Sequence, residues 1–356
     1  MAQNYDFELP GHPSIYQDAA PRNFKVYFSE PEGGTNEETG LCLLVPGYGG
    51  HSQSNVYKKM RSEFADKHNL IVIQCDYFGH EFMQTNPALT SDEDFNAYFR
   101  KWIEQVREKG IHGEVSIDIE EKLGESKGNF NDMSIMQAVD NISAVIAVSE
   151  ILKDNGLRFN AKRVISYGHS HGAYLCLLAN ALAPGLFSLI IDNSAYISPY
   201  YFDLRRKVSR KVGQVTGTIL NTYIAGWIVD RELADLKNVY RQIRPKSARI
   251  ISYQGALDSI VAADEKDRFC RNIGAEYHLI QDADVDGRMF KSTNHGIGAD
   301  FLLLFDHVLD GVSFSPGSDE IRINDVQITT KSGVYSLSYA NKMPMVGCSK
   351  KIIMEG

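Results

Sequence analysis

Long apolar runs, paired cysteines and an excess of positive charge are all missing from this chain. No apolar stretch in the sequence approaches the roughly 20 residues that a membrane helix needs, so membrane insertion is not expected. The opening Met1-Ala2-Gln3-Asn4-Tyr5-Asp6-Phe7-Glu8 lacks the basic start and apolar core of a signal peptide. The five cysteines are scattered and odd in number, show no C-x-x-C spacing, and three of them lie in apolar runs. Such usage points to buried thiols in a reducing cytoplasm and away from disulfides or a metal centre. Lys and Arg number 37 against 45 Asp and Glu, a formal charge of −8, so no global basic field is available to collect phosphates. That excludes nucleic acid as the expected partner. Repeats and low-complexity segments are absent as well.

What is present is an alternation of strand-like and helix-like segments over 356 residues. Leu41-Cys42-Leu43-Leu44-Val45 is a continuous apolar run, as a strand buried on both faces requires, and it ends in the loop Pro46-Gly47-Tyr48-Gly49-Gly50. Residues 54–68 read as a helix, 70–75 as a second buried strand, and 132–155 as a helix stopped by Asn155-Gly156. Strands follow at 163–167, 187–191, 249–253 and 276–280, with a closing apolar helix at 301–309. This order predicts a mostly parallel sheet with helices on both faces, whose function collects where the strands end. Two insertions interrupt it: a long polar one at 81–131 and one at 196–245, helical in character and placed to form a lid. The organisation expected is one domain over 1–310 with these insertions. Residues 311–356 add a small β-hairpin extension packed on it, since so short a segment rarely forms a core alone. That extension is also the surface offered for homo-oligomerisation.

The chemistry centres on Gly168-His169-Ser170-His171-Gly172, which joins the 163–167 strand to a helix-forming run. A serine on a sharp strand-to-helix turn exposes its hydroxyl above the sheet, and the flanking glycines avoid collisions with the neighbouring elements. A hydroxyl needs a base, and the base needs an orienting carboxylate. His169 and His171 adjoin Ser170 but are expected to pack beside the turn. His295, in the loop Ser292-Thr293-Asn294-His295-Gly296-Ile297-Gly298, is the expected base. Asp258 is the first acid after the 249–253 strand and the leading carboxylate, with Asp282, Asp284 and Asp286 as rivals. Calcium is not expected on those three, because the glycine and the later glutamate of a calcium loop are out of register. An oxyanion hole needs two backbone N–H groups; Tyr48 and His171 are nominated. No metal and no cofactor is called for.

Taken together, Gly47-Tyr48-Gly49-Gly50, the Ser170 elbow, Gly255-Ala256-Leu257-Asp258-Ser259-Ile260-Val261 and Asn294-His295-Gly296-Ile297-Gly298 resemble the α/β-hydrolase superfamily over about residues 20–310. The likeness is to its esterase-like bacterial members, with some similarity to prolyl-oligopeptidase catalytic domains. It implies the α/β-hydrolase fold, Ser170 as nucleophile, Asp258 as acid, His295 as base, and Tyr48 with His171 as oxyanion donors. Pro46 departs from the lipase-type pattern, which often has histidine there, and the resemblance accounts for neither insertion 81–131 nor the C-terminal extension.

The leading expectation is a serine hydrolase that cleaves a small carboxylic ester through an acyl-enzyme. Acyl transfer, peptide cleavage of the oligopeptidase kind, and a non-catalytic scaffold that binds a partner remain open. Tyr196, Tyr200 and Tyr201 are offered as an aromatic pocket wall. The basic run Arg205, Arg206, Lys207, Arg210 and Lys211 reads as a solvated helix face, or as an attractor for an anionic substrate or partner.

Overall fold

Successive residues of the buried strands point to opposite faces of one sheet, and each face has its own core. In the computed structural model, which describes residues 1–17, 21–317 and 320–350, Leu41, Leu43 and Val45 pack on one side while Cys42 and Leu44 pack on the other. This is why these strands read as continuous apolar runs.

The chain begins with strands β1 (Gln3–Gly11), β2 (Arg22–Glu30) and β3 (Gly40–Val45), then helix α1 (Asn55–His68) and β4 (Leu70–Cys75). Helix α2 (Asp92–Glu108) and β5 (Val115–Glu121) follow in the first insertion, then α3 (Ile135–Asp154), β6 (Val164–His169), α4 (His171–Leu182) and β7 (Leu189–Asn193). The second insertion holds β8 (Arg206–Val212), β9 (Val215–Asn221), α5 (Ala225–Ile228), α6 (Arg231–Ala234) and α7 (Leu236–Gln242). After it come β10 (Arg249–Gly255), α8 (Ala263–Ile273), β11 (Glu276–Ile280) and α9 (Phe301–Asp310). The C-terminal strands are β12 (Val326–Thr329), β13 (Gly333–Ser338) and β14 (Met345–Lys350).

The main sheet has eight strands in the order β1-β2-β4-β3-β6-β7-β10-β11. It is parallel from β4 to β11, and β2 runs against both of its neighbours. Phe64 of α1 and Leu304 and Phe305 of α9 fill one face; α3, α4 and α8 cover the other.

The structure departs from the sequence expectations in four places. α3 is a 20-residue helix with mean hydropathy 1.5, long and apolar enough to cross a membrane, but 89% of that stretch is buried inside the protein, as a core helix is. The lid is not mainly helical: β8 and β9 form a hairpin, and α5, α6 and α7 are short. The two insertions also form one cap. β5 pairs in parallel with β9, and Phe95 and Phe99 of α2 press on Gly217 to build a separate apolar cluster with Ile117, Val215 and Ile219. The C-terminal extension is a three-stranded antiparallel sheet, one strand more than a hairpin. Its Ile328 and Leu337 join the α3–α4 core, and the Tyr339 hydroxyl donates to the Leu182 carbonyl at 2.9 Å. Residues 351–356 of that extension lie outside the described residues.

Candidate active site

The turn between β6 and α4 is strained. Ser170 has φ 53° and ψ −115°, a region that side-chain-bearing residues rarely occupy. Its neighbours explain how the strain is held. A side-chain carbon on Gly172 would lie 2.0 Å from the Val45 carbonyl oxygen, and one on Gly168 would lie 2.3 Å from the Ala173 nitrogen. Only glycine fits at both positions, so β6 and α4 close tightly and hold the serine at the apex.

Three loops at the carboxyl ends of β6, β10 and β11 bring together residues far apart in sequence. His295 Nδ1 lies 2.7 Å from Asp258 Oδ2, and its Nε2 lies 2.7 Å from Ser170 Oγ. With Asp258 as an acceptor, Nδ1 carries the hydrogen and Nε2 accepts from the serine hydroxyl. The Asp258 side chain is fully buried, which by itself raises a carboxyl pKa. The contact with His295 and the backbone N–H groups of Ile260 and Val261, donating at 2.8 and 3.1 Å, outweigh burial and hold it below its ordinary range. The Gln254 amide also donates to this carboxylate. Asp282, Asp284 and Asp286 are engaged elsewhere: Asp284 accepts from the Gln281 N–H, Asp286 from those of Arg288 and Phe290, and Asp282 from the Thr293 hydroxyl.

A turn after β7 ties the loops together. The Ser170 N–H donates to the Asn193 carbonyl at 2.8 Å, the Ser194 N–H to the Tyr253 carbonyl at 2.9 Å, and the Gly296 N–H to Ser194 Oγ at 3.1 Å. Ser194 itself sits at φ 62°. Behind it, the buried Lys266 ammonium is 2.7 Å from both Asp192 Oδ2 and the Ala195 carbonyl.

The loop after β3 abuts the elbow: a side-chain carbon on Gly47 would come within 3.3 Å of Ser170 Cβ. Among the described residues, the backbone N–H groups of Tyr48 and His171 have no hydrogen-bond partner. Two free N–H groups beside a serine hydroxyl are what a tetrahedral oxyanion requires.

Neither histidine next to the serine is placed to act as its base. His171 is buried, with Nε2 2.6 Å from Gln137 Oε1 and Nδ1 against the Tyr196 hydroxyl, and burial lowers its pKa to about 3. His169 packs on Gly296 and Phe301; burial, with the nearby His295 adding to it, lowers its pKa to about 4.

The aromatic wall needs revision. Tyr196 is buried, stacks on Tyr174 at 4.9 Å and meets His171, so it belongs to the core. Tyr201 is half-buried and lies 4.9 Å from the Tyr48 ring, with the half-buried Tyr200 5.4 Å beyond it. Sequence reasoning missed Tyr223, 6.0 Å from Tyr48; Asn131, whose amide donates to the Tyr48 hydroxyl at 2.9 Å; and Gln137, which donates to Asn131 at 2.8 Å. No local pattern marks these three, because insertion and core must fold together before they meet.

Strand order, the antiparallel β2, the elbow after β6 and the succession Ser170, Asp258, His295 settle the architecture. The protein has an α/β-hydrolase fold. Residues 86–219 match a family described as a protein of unknown function, DUF2920. No protein of curated function matches the sequence significantly. Among solved structures, the chain is similar to ferulic-acid-bound Est1E from Butyrivibrio proteoclasticus (14% identity, 81% of this chain and 94% of that one, TM-score 0.47). It is similar too to esterase 2 of Thermogutta terrifontis phosphorylated by paraoxon (12%, 87% and 90%, TM-score 0.45). A third is an alpha-beta serine hydrolase homologue from Coxiella burnetii (12%, 87% and 97%, TM-score 0.41).

Proposed function

We propose that this α/β-hydrolase-fold protein is a serine hydrolase that cleaves a carboxylic ester through an acyl-enzyme. The observation that carries the reading is His295, which bridges the Ser170 hydroxyl and the buried Asp258 carboxylate at 2.7 Å on each side. As Ser170 Oγ attacks the ester carbonyl carbon, its proton passes to His295 Nε2. The carbonyl oxygen becomes an oxyanion that takes hydrogen bonds from the Tyr48 and His171 N–H groups. When the tetrahedral species collapses, the ester C–O bond breaks and His295 gives its proton to the departing alkoxide. Water then attacks the acyl-serine, His295 takes one of its protons, and collapse releases the carboxylic acid while Ser170 recovers its hydrogen. Asp258 stays ionised throughout; it keeps Nδ1 protonated and stabilises the imidazolium.

A fluorophosphonate probe tests this reading. Labelling should vanish in Ser170→Ala and fall sharply in His295→Ala. If folded wild-type protein takes no label and hydrolyses no ester across a range of acyl lengths, the proposal fails.

A further inference from the structure

We propose that the substrate carries an anionic group, a carboxylate or a phosphate, held by Arg206 at the cap edge of the active site. This rests on the ester-hydrolase reading above and adds the chemical class of the substrate.

The structure sorts the basic run that the sequence presents as one block. The run lies on and just before strand β8, where side chains alternate between the two faces. On the outward face Arg205 reaches Glu120 at 3.7 Å and Lys211 pairs with Glu114, while Arg210, on the same face as Arg206, reaches Asp92 at 2.5 Å. Arg206 faces inward. It is only 5% exposed, and among the described residues it has no carboxylate within ion-pair distance. Among its five N–H donors, Nη1 donates to the Gln84 carbonyl at 3.0 Å.

The surroundings of Arg206 belong to the site. Its guanidinium lies 5.0 Å from the centre of the Tyr48 ring, on the loop that supplies the Tyr48 N–H, and a side-chain carbon on Gly49 would come within 3.7 Å of Nη2. Tyr201 and Tyr223 complete the enclosure, and the buried Tyr223 hydroxyl lies against the Arg206 guanidinium. The nearby acids are already engaged. Glu125 accepts the N–H groups of Asn131 and Ile224 at 2.9 Å each, and Glu121 accepts the Asn221 amide at 2.6 Å. A buried guanidinium without a counter-charge is costly, and pairing it with an arriving oxyanion removes that cost. Guanidinium forks match carboxylate and phosphate alike. The Tyr223 hydroxyl supplies a further donor to either. The aromatic rings hold the body of the substrate, and the cation fixes its charged end.

The test compares kcat/KM in two series of esters. Acetates of 4-hydroxybenzoate, 4-hydroxyphenyl phosphate and neutral 4-hydroxybenzamide place the charge on the leaving group; monoaryl glutarates, with the neutral aryl esters of glutaramic acid as controls, place it on the acyl side. Wild type should favour a charged member about tenfold or more in at least one series, the value of a charge-assisted hydrogen bond. The carboxylate-to-phosphate ranking then identifies the anion. In Arg206→Gln the preference should collapse towards unity, chiefly through KM, and Arg206→Lys should restore part of it, which also guards against a Gln variant that misfolds. Equal rates on charged and neutral esters in wild type overturn the proposal. So does a preference that survives Arg206→Gln, or a parallel fall on both kinds of ester, which makes Arg206 a structural residue. Neutral-ester turnover that depends on Ser170 shows separately that the hydrolase reading stands; if no ester is cleaved, both proposals fall.

Discussion

Gln137 ties the two nominated oxyanion donors to one another: its Oε1 lies 2.6 Å from His171 Nε2, and its amide donates to Asn131, which in turn donates to the Tyr48 hydroxyl. The relay couples the loop after β3 to the first turn of α4 through side chains fixed on the buried helix α3. Gln137→Leu breaks it and leaves the His171 ring Nε2–H and the Asn131 side-chain oxygen unpaired in the interior. We expect kcat to fall about tenfold with a smaller change in KM, since a displaced oxyanion donor acts mainly on the transition state. Stability should drop by about 1–3 kcal/mol. Steady-state kinetics together with a urea titration separate the two effects; an unchanged kcat in a destabilised protein makes the relay structural only.

Strain at Ser170 gives a second test. Ser170→Gly and Ser170→Ala should both abolish ester cleavage, but glycine alone relaxes a φ of 53°. The glycine variant should therefore be more stable than the alanine variant by about 1 kcal/mol. Thermal melts of the two proteins measure the difference, and equal midpoints would mean that the turn carries no strain.

Lys266 and Asp192 are 0% and 1% exposed, and the pair anchors the turn that bonds to the loops carrying Ser170, Asp258 and His295. Lys266→Met leaves Asp192 charged and buried without a counter-ion. The expected loss is about 3–5 kcal/mol, the usual effect of breaking a buried pair from one side. Chemical denaturation reads it directly, and a loss below about 1 kcal/mol would show that water reaches the carboxylate.

Acid should weaken the fold through His169 and His171. Both have pKa values depressed from 6.5, to about 4 and about 3, chiefly by burial. The unfolded chain binds more protons below pH 6.5, so their contribution is full above that pH and is lost progressively as the pH falls. Asp132 works against them: burial raises its pKa from 3.8 to about 6, so its contribution is full below pH 3.8 and lost as the pH rises through 6. Between pH 7 and 4.5 the two histidines together cost about 5 kcal/mol, against about 2 gained from Asp132. Urea midpoints between pH 7 and 4.5 should fall, and Asp132→Asn should steepen the fall. A flat profile in both proteins would contradict the burial of these side chains.

The parallel sheet was legible because its strands are buried on both faces and therefore appear as unbroken apolar runs. Ser170 and Asp258 were legible as candidates because each lies just past the end of a strand, and His295 because it sits in the loop between β11 and the closing helix. Strands that pair at an edge or in the cap left weaker marks. β1 (Gln3–Gly11) is largely exposed and polar, and β8 carries arginine as well as valine on its inward face, so charge hides its period of two. Tyr196 was misplaced because an aromatic cluster does not show which of its members turn inward. Arg206, Asn131 and Gln137 gain their positions only when residues far apart in sequence are brought together, and no local signal carries that information.

The parallel pairing of β5 with β9 also sets an order of assembly. Residues 115–121 leave the ribosome roughly 5–20 seconds before their partners at 215–221, at ordinary rates of synthesis. During that interval the chain makes α3, β6 and α4, so the Ser170 turn is synthesised before the cap has a second strand. β5 waits as an unpaired edge, and its Asp118, Glu120 and Glu121 make it a poor template for another chain. The acidic character of this strand thus protects the nascent protein during the one period when its cap is unmade.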